Sequence, residues 1–260
     1  MNEALTVDAW GSREAAGLAP ESNADDSAAT GLGDDLIAKL TEAPTAGLSA
    51  QLRARGLNNV VIESVAPLKP GSKIVGTAKT LRFVPNREDL FKSHGGGYNA
   101  QKQAFDSIRP GEVVVIEARG ESGSGTLGDI LALRAKSLGA TGVITDGGVR
   151  DSAEVAGILP VFATAKNPAV LGRRHVPWES DVAVACGNAT VLPGDVIVAD
   201  DDGAIVIPRD LTEEVVDAAL AKEIEDGWVA EQVGAGNPIE GLFPPKGEWK
   251  AKFDEWKASR

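Results

Sequence analysis

Residues 128–151 contain three side chains whose types and spacing suit chemistry on a small anion: Asp129 and, after twenty intervening residues, the adjacent pair Arg150 and Asp151. Two carboxylates and a guanidinium at one point could hold a cation, pair with a charged oxygen and handle a proton. Their convergence depends on the surrounding stretch, GDILALRAKSLGATGVITDGGVRD. It reads as a glycine turn, an amphipathic helix, a short buried strand and a second glycine turn. A helix and a returning strand bring the three side chains to one end of the same layer. That end is the C-terminal edge of the strand, where open α/β sheets place their ligands.

The helix is expected to show one apolar face, formed by Ile130, Leu131, Leu133, Ala135 and Leu138, with Arg134, Lys136 and Ser137 outside it. Gly139 is its left-handed stop. Val143 and Ile144, bounded by Gly142 and by Gly147-Gly148, predict a buried strand ending in a sharp turn. The preceding strand, 113–118, runs into Gly120, Gly123, Gly125 and Gly128, where backbone amides can approach a ligand closely. With the helix N-terminus these amides offer a seat for a carboxylate. Each feature also has a plainer use: Asp129 as a helix N-cap, Arg150-Asp151 as a surface ion pair, the glycines as an ordinary turn. The GK[ST] of a phosphate-binding loop is missing, and the glycine spacing is not a dinucleotide fingerprint.

The frame GD…LA…G..G.…DG..RD closely resembles the class II pyruvate aldolases of the 4-hydroxy-4-methyl-2-oxoglutarate / 4-carboxy-4-hydroxy-2-oxoadipate type, which share a fold and superfamily with the RraA regulators of ribonuclease E. A second family-like block, LPGDVIVADDDGAIVIP, occupies 192–208, and the likeness extends from about Thr45 to about Asp226. The resemblance implies a layered β/β/α fold of α/β class, akin to the swivelling phosphohistidine domain, with short mixed strands, assembled as a homotrimer or homohexamer. It also implies a divalent-metal-dependent lyase that cleaves a 4-hydroxy-2-oxo acid to pyruvate and a second oxo acid, with oxaloacetate decarboxylation as a side activity. On that likeness Asp151 anchors Mg²⁺ or Mn²⁺. The amides of Gly125, Thr126, Leu127, Gly128, Asp129 and Ile130 grip the substrate carboxylate, and Arg150 pairs with the keto or enolate oxygen. Asp129 orients Arg150 and a water of the metal's shell. Related aldolases take a further glutamate from the C-terminal region of the adjacent subunit, and Glu223 in LTEEVVDAALAKEIEDG is the expected counterpart, ahead of Glu225 and Asp226.

The same likeness admits a non-catalytic RraA-like regulator that binds a ribonuclease or another protein. Such regulators generally lack the complete aspartate, arginine and aspartate set that this chain has. A methyltransferase suggested by VVVIEARGESGSG would need a Rossmann succession that the Pro-Gly-punctuated short strands do not offer. A phosphoryl carrier would need a loop histidine.

The 260 residues, 43% of them hydrophobic, suffice for one domain with tails. No segment is apolar enough to span a bilayer, no secretory signal is visible, and the single cysteine, Cys186, cannot form an internal disulfide, so a cytoplasmic protein is expected. The net charge is −12, and residues 1–35 hold eight acids against one base, which predicts an acidic, flexible arm. No basic stripe with interleaved aromatics is present, so neither nucleic acid nor membrane is an expected partner.

Three units are therefore expected: the arm at 1–35, an aldolase-like domain at 36–226, and an aromatic-rich docking segment at 227–260. Within the middle unit 36–54 is helical in pattern, Asn58 to Ser64 starts the strands, and Asp202-Gly203 is a hairpin turn. Asp210 and Glu213 suggest a capping box for a helix from 211 to about 225. Residues 84–103, with Gly95, Gly96 and Gly97 between His94 and Tyr98, read as a flexible loop, either a specificity lid or a surface insertion. His94 and His175 do not form a metal cluster by spacing. In 227–260, Trp228, Phe243, Trp249, Phe253 and Trp256 suggest docking on the body or on a neighbouring subunit, and GEWKAKFDEWKASR predicts an amphipathic helix.

Overall fold

A computed structural model of the protein describes residues 31–260. The acidic arm therefore lies almost wholly outside the described residues. The chain opens with two helices, α1 (Asp34–Glu42) and α2 (Thr45–Ala54), where one helical stretch was expected. Pro44 makes the break, because its ring disfavours helical backbone at the residue before it, and Ala43 is extended. Two short strands follow, β1 (Val61–Ile62) and β2 (Ala66–Pro67), and then the long β3 (Ile74–Pro85).

Residues 84–103 are largely helical and not an open loop. A turn, α3 (Glu88–Leu90), continues as a wider π turn over Phe91–Gly95, and α4 (Ala100–Asp106) begins after the glycines. Asn99 caps α4 by accepting from the Lys102 amide at 3.1 Å. His94 stacks on Trp178 with ring centroids 4.8 Å apart.

The central part is β4 (Glu112–Glu117), β5 (Gly125–Leu127), α5 (Asp129–Ser137), β6 (Gly142–Val149), α6 (Ser152–Ile158) and β7 (Val161–Lys166). Next come β8 (His175–Ser180), β9 (Val184–Cys186), β10 (Ala189–Val191), β11 (Val196–Asp200) and β12 (Gly203–Ile207). The chain closes with α7 (Thr212–Gly234) and α8 (Glu248–Ala258).

The main sheet runs β1-β12-β11-β3-β4-β6-β7-β2, with β5 joined to β6 and β8 to β3, and β9-β10 form a separate hairpin. Strands β3, β4, β6 and β7 are mutually parallel, so their C-terminal ends share one edge. The β11-β12 hairpin pairs Asp200 with Gly203, so the expected turn falls at Asp201-Asp202, with Gly203 as the first residue of the returning strand.

Strand alternation divides the interior. From β4, Val114 and Ile116 point toward α4, α5 and α6, packing with Phe105, Ala132, Ala135 and Val155. Val113 and Val115 point the other way, onto Val184, Val191, Ile197 and Val206. From β11, Ile197 joins that second cluster while Val196 and Val198 pack under α1, α2 and α7 with Leu48, Leu52, Val215 and Ala219. The result is a layered, mixed α/β fold.

Two helices differ from their sequence patterns. The buried face of α5 is Ala132 and Ala135, with Leu131 and Leu138 at its border, while Ile130 (72% exposed) and Leu133 (56%) face outward. Two alanines three residues apart let the helix lie close to the sheet, and that contact, not the widest apolar stripe, sets its rotation. Gly139 ends the helix in the left-handed region, φ +84°. Helix α7 is about nine residues longer than expected and runs without a break across 226/227. No side chain caps its start: Asp210 lies in a 3-10 turn, Arg209–Leu211, and Thr212 Oγ1 donates to the Arg209 carbonyl at 2.8 Å. The far half of α7 carries a satellite cluster of Trp228, Val229, Leu242 and Phe253, bordered by Trp249 and Trp256. Trp249, Phe253 and Trp256 thus dock on α7 of their own chain, while Phe243 is exposed.

Candidate active site at the end of β6

The site is built where β6 leaves the sheet. Val149 is its last residue, Arg150 follows, and Asp151 turns the chain into α6 with left-handed backbone angles, φ 49° and ψ 39°. A non-glycine residue held there costs about 1–3 kcal/mol and is found where the surroundings over-determine it, functional sites above all. Here the surroundings are β5 and the start of α5. The Arg150 amide donates to the Leu127 carbonyl at 2.8 Å, and the Asp151 carbonyl accepts from Val155 at 2.9 Å.

Two glycines make room for the two side chains. A Cβ at Gly125 would overlap the Arg150 side chain from Cβ to Cδ, so the arginine stem crosses the backbone there. A Cβ at Gly128 would stand 3.1 Å from Asp151 Oδ2. Gly128 is also the N-cap of α5, so the Asp151 carboxylate lies beside the first turn of that helix. The N–H groups of that turn have no partner within the helix and carry the positive end of its dipole.

Arg150 and Asp151 are half-exposed, and Arg150 Nη2 stands 3.7 Å from Asp151 Oδ2. Thr126 is buried, its hydroxyl 3.0 Å from that of Thr145 and donating to the Gly148 carbonyl at 2.9 Å. Asp129 opens α5 but turns back on it, accepting from the Ile130 amide at 2.8 Å. Among the described residues it makes no bond to Arg150. The Gly125 amide is taken by the Ala169 carbonyl at 2.9 Å. The amides of Gly125 and Ile130 are thus already bonded, and among the described residues those left open to a ligand at the start of α5 are the amides of Gly128 and Asp129, not the whole of 125–130.

Glu223 lies elsewhere in the same chain. It sits on α7, exposed, with its Oε1 3.0 Å from the place a Cβ would take on Gly47 of α2. That is the helical layer over β11 and β12, whereas Asp151 belongs to the layer of α5 and α6. Glu225 and Asp226 are occupied by Lys222, at 2.8 and 2.5 Å.

Among the described residues no three His, Cys, Asp or Glu side chains gather as a metal-binding group. A lone, accessible carboxylate still fits Mg²⁺ or Mn²⁺. Such hard cations take oxygen ligands, and Mg²⁺ retains several waters around one or two carboxylates. Asp151 meets that requirement: among the described residues its carboxylate accepts no hydrogen bond, and the missing Cβ of Gly128 leaves space beside Oδ2.

Asp146 went unnoticed in the sequence, inside TDGG. It is 3% exposed, and its carboxylate accepts from the amides of Ala118, of Gly120 at 2.8 Å and of Gly187 at 3.4 Å. Burial pushes its carboxyl up from the usual range, against those hydrogen bonds. It borders a cavity of about 420 Å³ lined also by Glu63, Glu117, Arg119, Thr164 and Asn188, and neither Arg150 nor Asp151 reaches that cavity. His175 is fully buried against Arg119. Its Nδ1 lies 3.4 Å from Arg119 Nη2, and burial first, then the arginine, lower its pKa to about 4.

The RraA-like family profile (Aldolase/RraA) matches residues 37–206, about two thirds of the chain. A Halalkalibacterium halodurans protein provisionally named 4-hydroxy-4-methyl-2-oxoglutarate aldolase is 31% identical over 193 residues, 74% of this chain and 85% of that one. The chain belongs to the RraA-like (Aldolase/RraA) family. Protein DlpA of Legionella pneumophila is 27% identical over 79% of this chain, which spans 33% of DlpA's length. Streptomyces coelicolor RraAS2, described as an unusual member of the RNase ES inhibitor RraA protein family, superposes with a TM-score of 0.70 at 33% identity, covering 76% of this chain and 96% of its own. An uncharacterized protein from Pseudomonas syringae pv. tomato shares the fold, with a TM-score of 0.73 at 24% identity over 83% of this chain and 95% of its own. Among the described residues no helix is long and apolar enough to cross a membrane.

Proposed function

We propose that this RraA-like protein is a divalent-metal-dependent lyase that cleaves a 4-hydroxy-2-oxo acid to pyruvate and a second oxo acid. The observation that supports this reading best is the accessible pair Arg150 and Asp151, placed by β6 beside the free amides of α5. The substrate C1 carboxylate sits on those amides, where the helix dipole favours negative charge. In the cleavage step the C4 hydroxyl loses its proton and the C3–C4 bond breaks, leaving a carbonyl at C4 of the departing oxo acid. The bond's electron pair moves onto the C2 carbonyl, giving the enolate of pyruvate. Arg150 faces the developing enolate oxygen with a planar fork of N–H donors. Asp151 would hold Mg²⁺ or Mn²⁺, and the bound cation would supply Lewis-acid polarisation of the 2-oxo group. Protonation of C3 then yields pyruvate. Oxaloacetate reaches the same enolate by loss of CO₂, which makes decarboxylation the accompanying activity.

Removal of the C4 hydroxyl proton needs a base that Asp151 cannot provide while holding a cation. Asp129 is near enough in sequence, but its carboxylate faces its own helix. Glu223 of an adjacent copy in a homotrimer or homohexamer is the proposed source, and the outward Ile130 and Leu133 give α5 an apolar surface for that copy to cover. Mixing Asp151→Ala subunits with Glu223→Ala subunits then restores activity, and no recovery in proven mixed oligomers removes Glu223 from the site.

The direct test is pyruvate release from oxaloacetate and a panel of 4-hydroxy-2-oxo acids, with Mg²⁺ and with chelator. Metal-dependent release supports the lyase. If every acid stays intact with metal present, the regulator reading prompted by RraAS2 takes its place, with a ribonuclease as the partner to be assayed.

A further inference from the structure

We infer that Gln101 is a positioning residue for the carboxylate-binding turn, coupling the glycine segment at 95–97 to the site. This rests on the lyase reading of that turn. Gln101 lies in the first turn of α4 and is 6% exposed. Its Nε2 donates to the Thr126 carbonyl at 2.6 Å. The bond crosses from the helical layer to β5, two residues before Gly128 opens α5.

The Thr126 hydroxyl already fixes its side chain from the sheet, through Thr145 and Gly148. Gln101 fixes the following peptide group. In a trans peptide the Thr126 carbonyl and the Leu127 N–H lie in one plane and point opposite ways, so holding the carbonyl fixes the rotation of that plane. The next carbonyl, of Leu127, receives the Arg150 amide, and the next residue is the glycine beside Asp151 Oδ2. One buried bond thus sets the orientation of backbone that touches both functional side chains and leads into the free amides.

Helix α4 is in turn placed by the glycine segment. Asn99 Nδ2 donates to the Gly95 carbonyl at 2.7 Å, Lys102 Nζ donates to that of Gly97, and Gln103 Nε2 donates to that of Tyr98 at 2.9 Å. Through Gln101 the 84–106 segment thus reaches the carboxylate-binding turn.

Gln101→Met keeps the length of the side chain and removes the donor. Gln101→Glu donates only while its carboxyl is protonated, a state that burial favours. With oxaloacetate and Mg²⁺, Gln101→Met is expected to raise KM about tenfold, the scale of one hydrogen bond, with kcat changed less than about threefold. Gln101→Glu, normalised to the parent at each pH, is expected to match it at low pH and fall to the Met level as the new carboxyl ionises. Amide hydrogen exchange at 127–131, read without substrate, is expected to quicken about tenfold in Gln101→Met. An inactive parent would defeat the lyase reading, and the exchange measurement would still decide whether Gln101 holds the turn. A folded Gln101→Met with the parent's KM, or with unchanged exchange, overturns the inference.

Discussion

Asp146 and Asp151 lie five residues apart at the end of one strand and have opposite fates. Asp146 is buried, and three backbone amides, those of Ala118, Gly120 and Gly187, converge on its carboxylate. It ties the β4 loop and the β9-β10 turn to β6. Asp151 is 41% exposed, its nearest cation is Arg150 Nη2 at 3.7 Å, and among the described residues its hydrogen bonds are made by its backbone. A carboxylate already surrounded by fixed N–H donors is a structural tie, whereas one held out by a strained backbone with no donors is open to a ligand. The cavity of about 420 Å³ adjoins the first and the proposed chemistry the second.

The contrast can be broken first at Asp151. Asp151→Ala is expected to lower metal-dependent pyruvate release by at least about a thousandfold, the scale of losing a principal charge-stabilising group. Thermal unfolding should barely move, and equal activity in mutant and parent would remove Asp151 from the site. Arg150→Lys follows, with kcat down about a hundredfold because an ammonium cannot reproduce the planar fork. Retention of most of kcat would mean that Arg150 only shapes the turn.

Asp146→Ala acts on the fold instead. Leaving buried amides without an acceptor should destabilise the chain by about 2–4 kcal/mol in denaturant titration, with Asp146→Asn milder because its oxygen still accepts. A neutral result would show that the β4 loop is held by other contacts.

The smallest expected effect is a pH dependence of stability from His175. Its folded pKa, about 4, lies below the ordinary 6.5, so between these values the unfolded chain binds the extra proton. Stability is therefore present above about pH 6.5 and falls as pH drops toward 4, by at most about 3 kcal/mol. Asp146, whose carboxyl is raised, works in the opposite sense from its ordinary 3.8 upward. Comparing the pH dependence of Tm in the parent and His175→Gln isolates the histidine, and identical slopes would exclude it.

The β6 unit was legible in the sequence because glycine turns, a left-handed helix stop and a run of β-formers are local signals. The β11-β12 hairpin was legible for the same reason, although its turn lies one residue earlier than the expected Asp202-Gly203. The rotation of α5 was legible only in part: Leu131, Ala135 and Leu138 lie on the expected buried side, but Ala132 belongs there too, while the larger Ile130 and Leu133 face outward. The helical order of 84–106 was hidden because its glycines resemble a loop, although Asn99 caps a helix just after them. Asp146 and Asp151 both precede or follow glycine-rich backbone, and only the position of amides distant in sequence tells them apart. For Gln101 no local pattern exists: its partner, Thr126, is 25 residues away on another layer.

Mn²⁺ binding by the parent, Asp151→Asn and Asp146→Asn chains, measured by electron paramagnetic resonance in the presence of pyruvate, tests the distinction most directly. The expected result is saturable binding by the parent and by Asp146→Asn, and affinity at least about tenfold weaker in Asp151→Asn. Parent-like binding by Asp151→Asn, or its loss in a folded Asp146→Asn, would contradict the assignment of Asp151 as the metal-holding carboxylate.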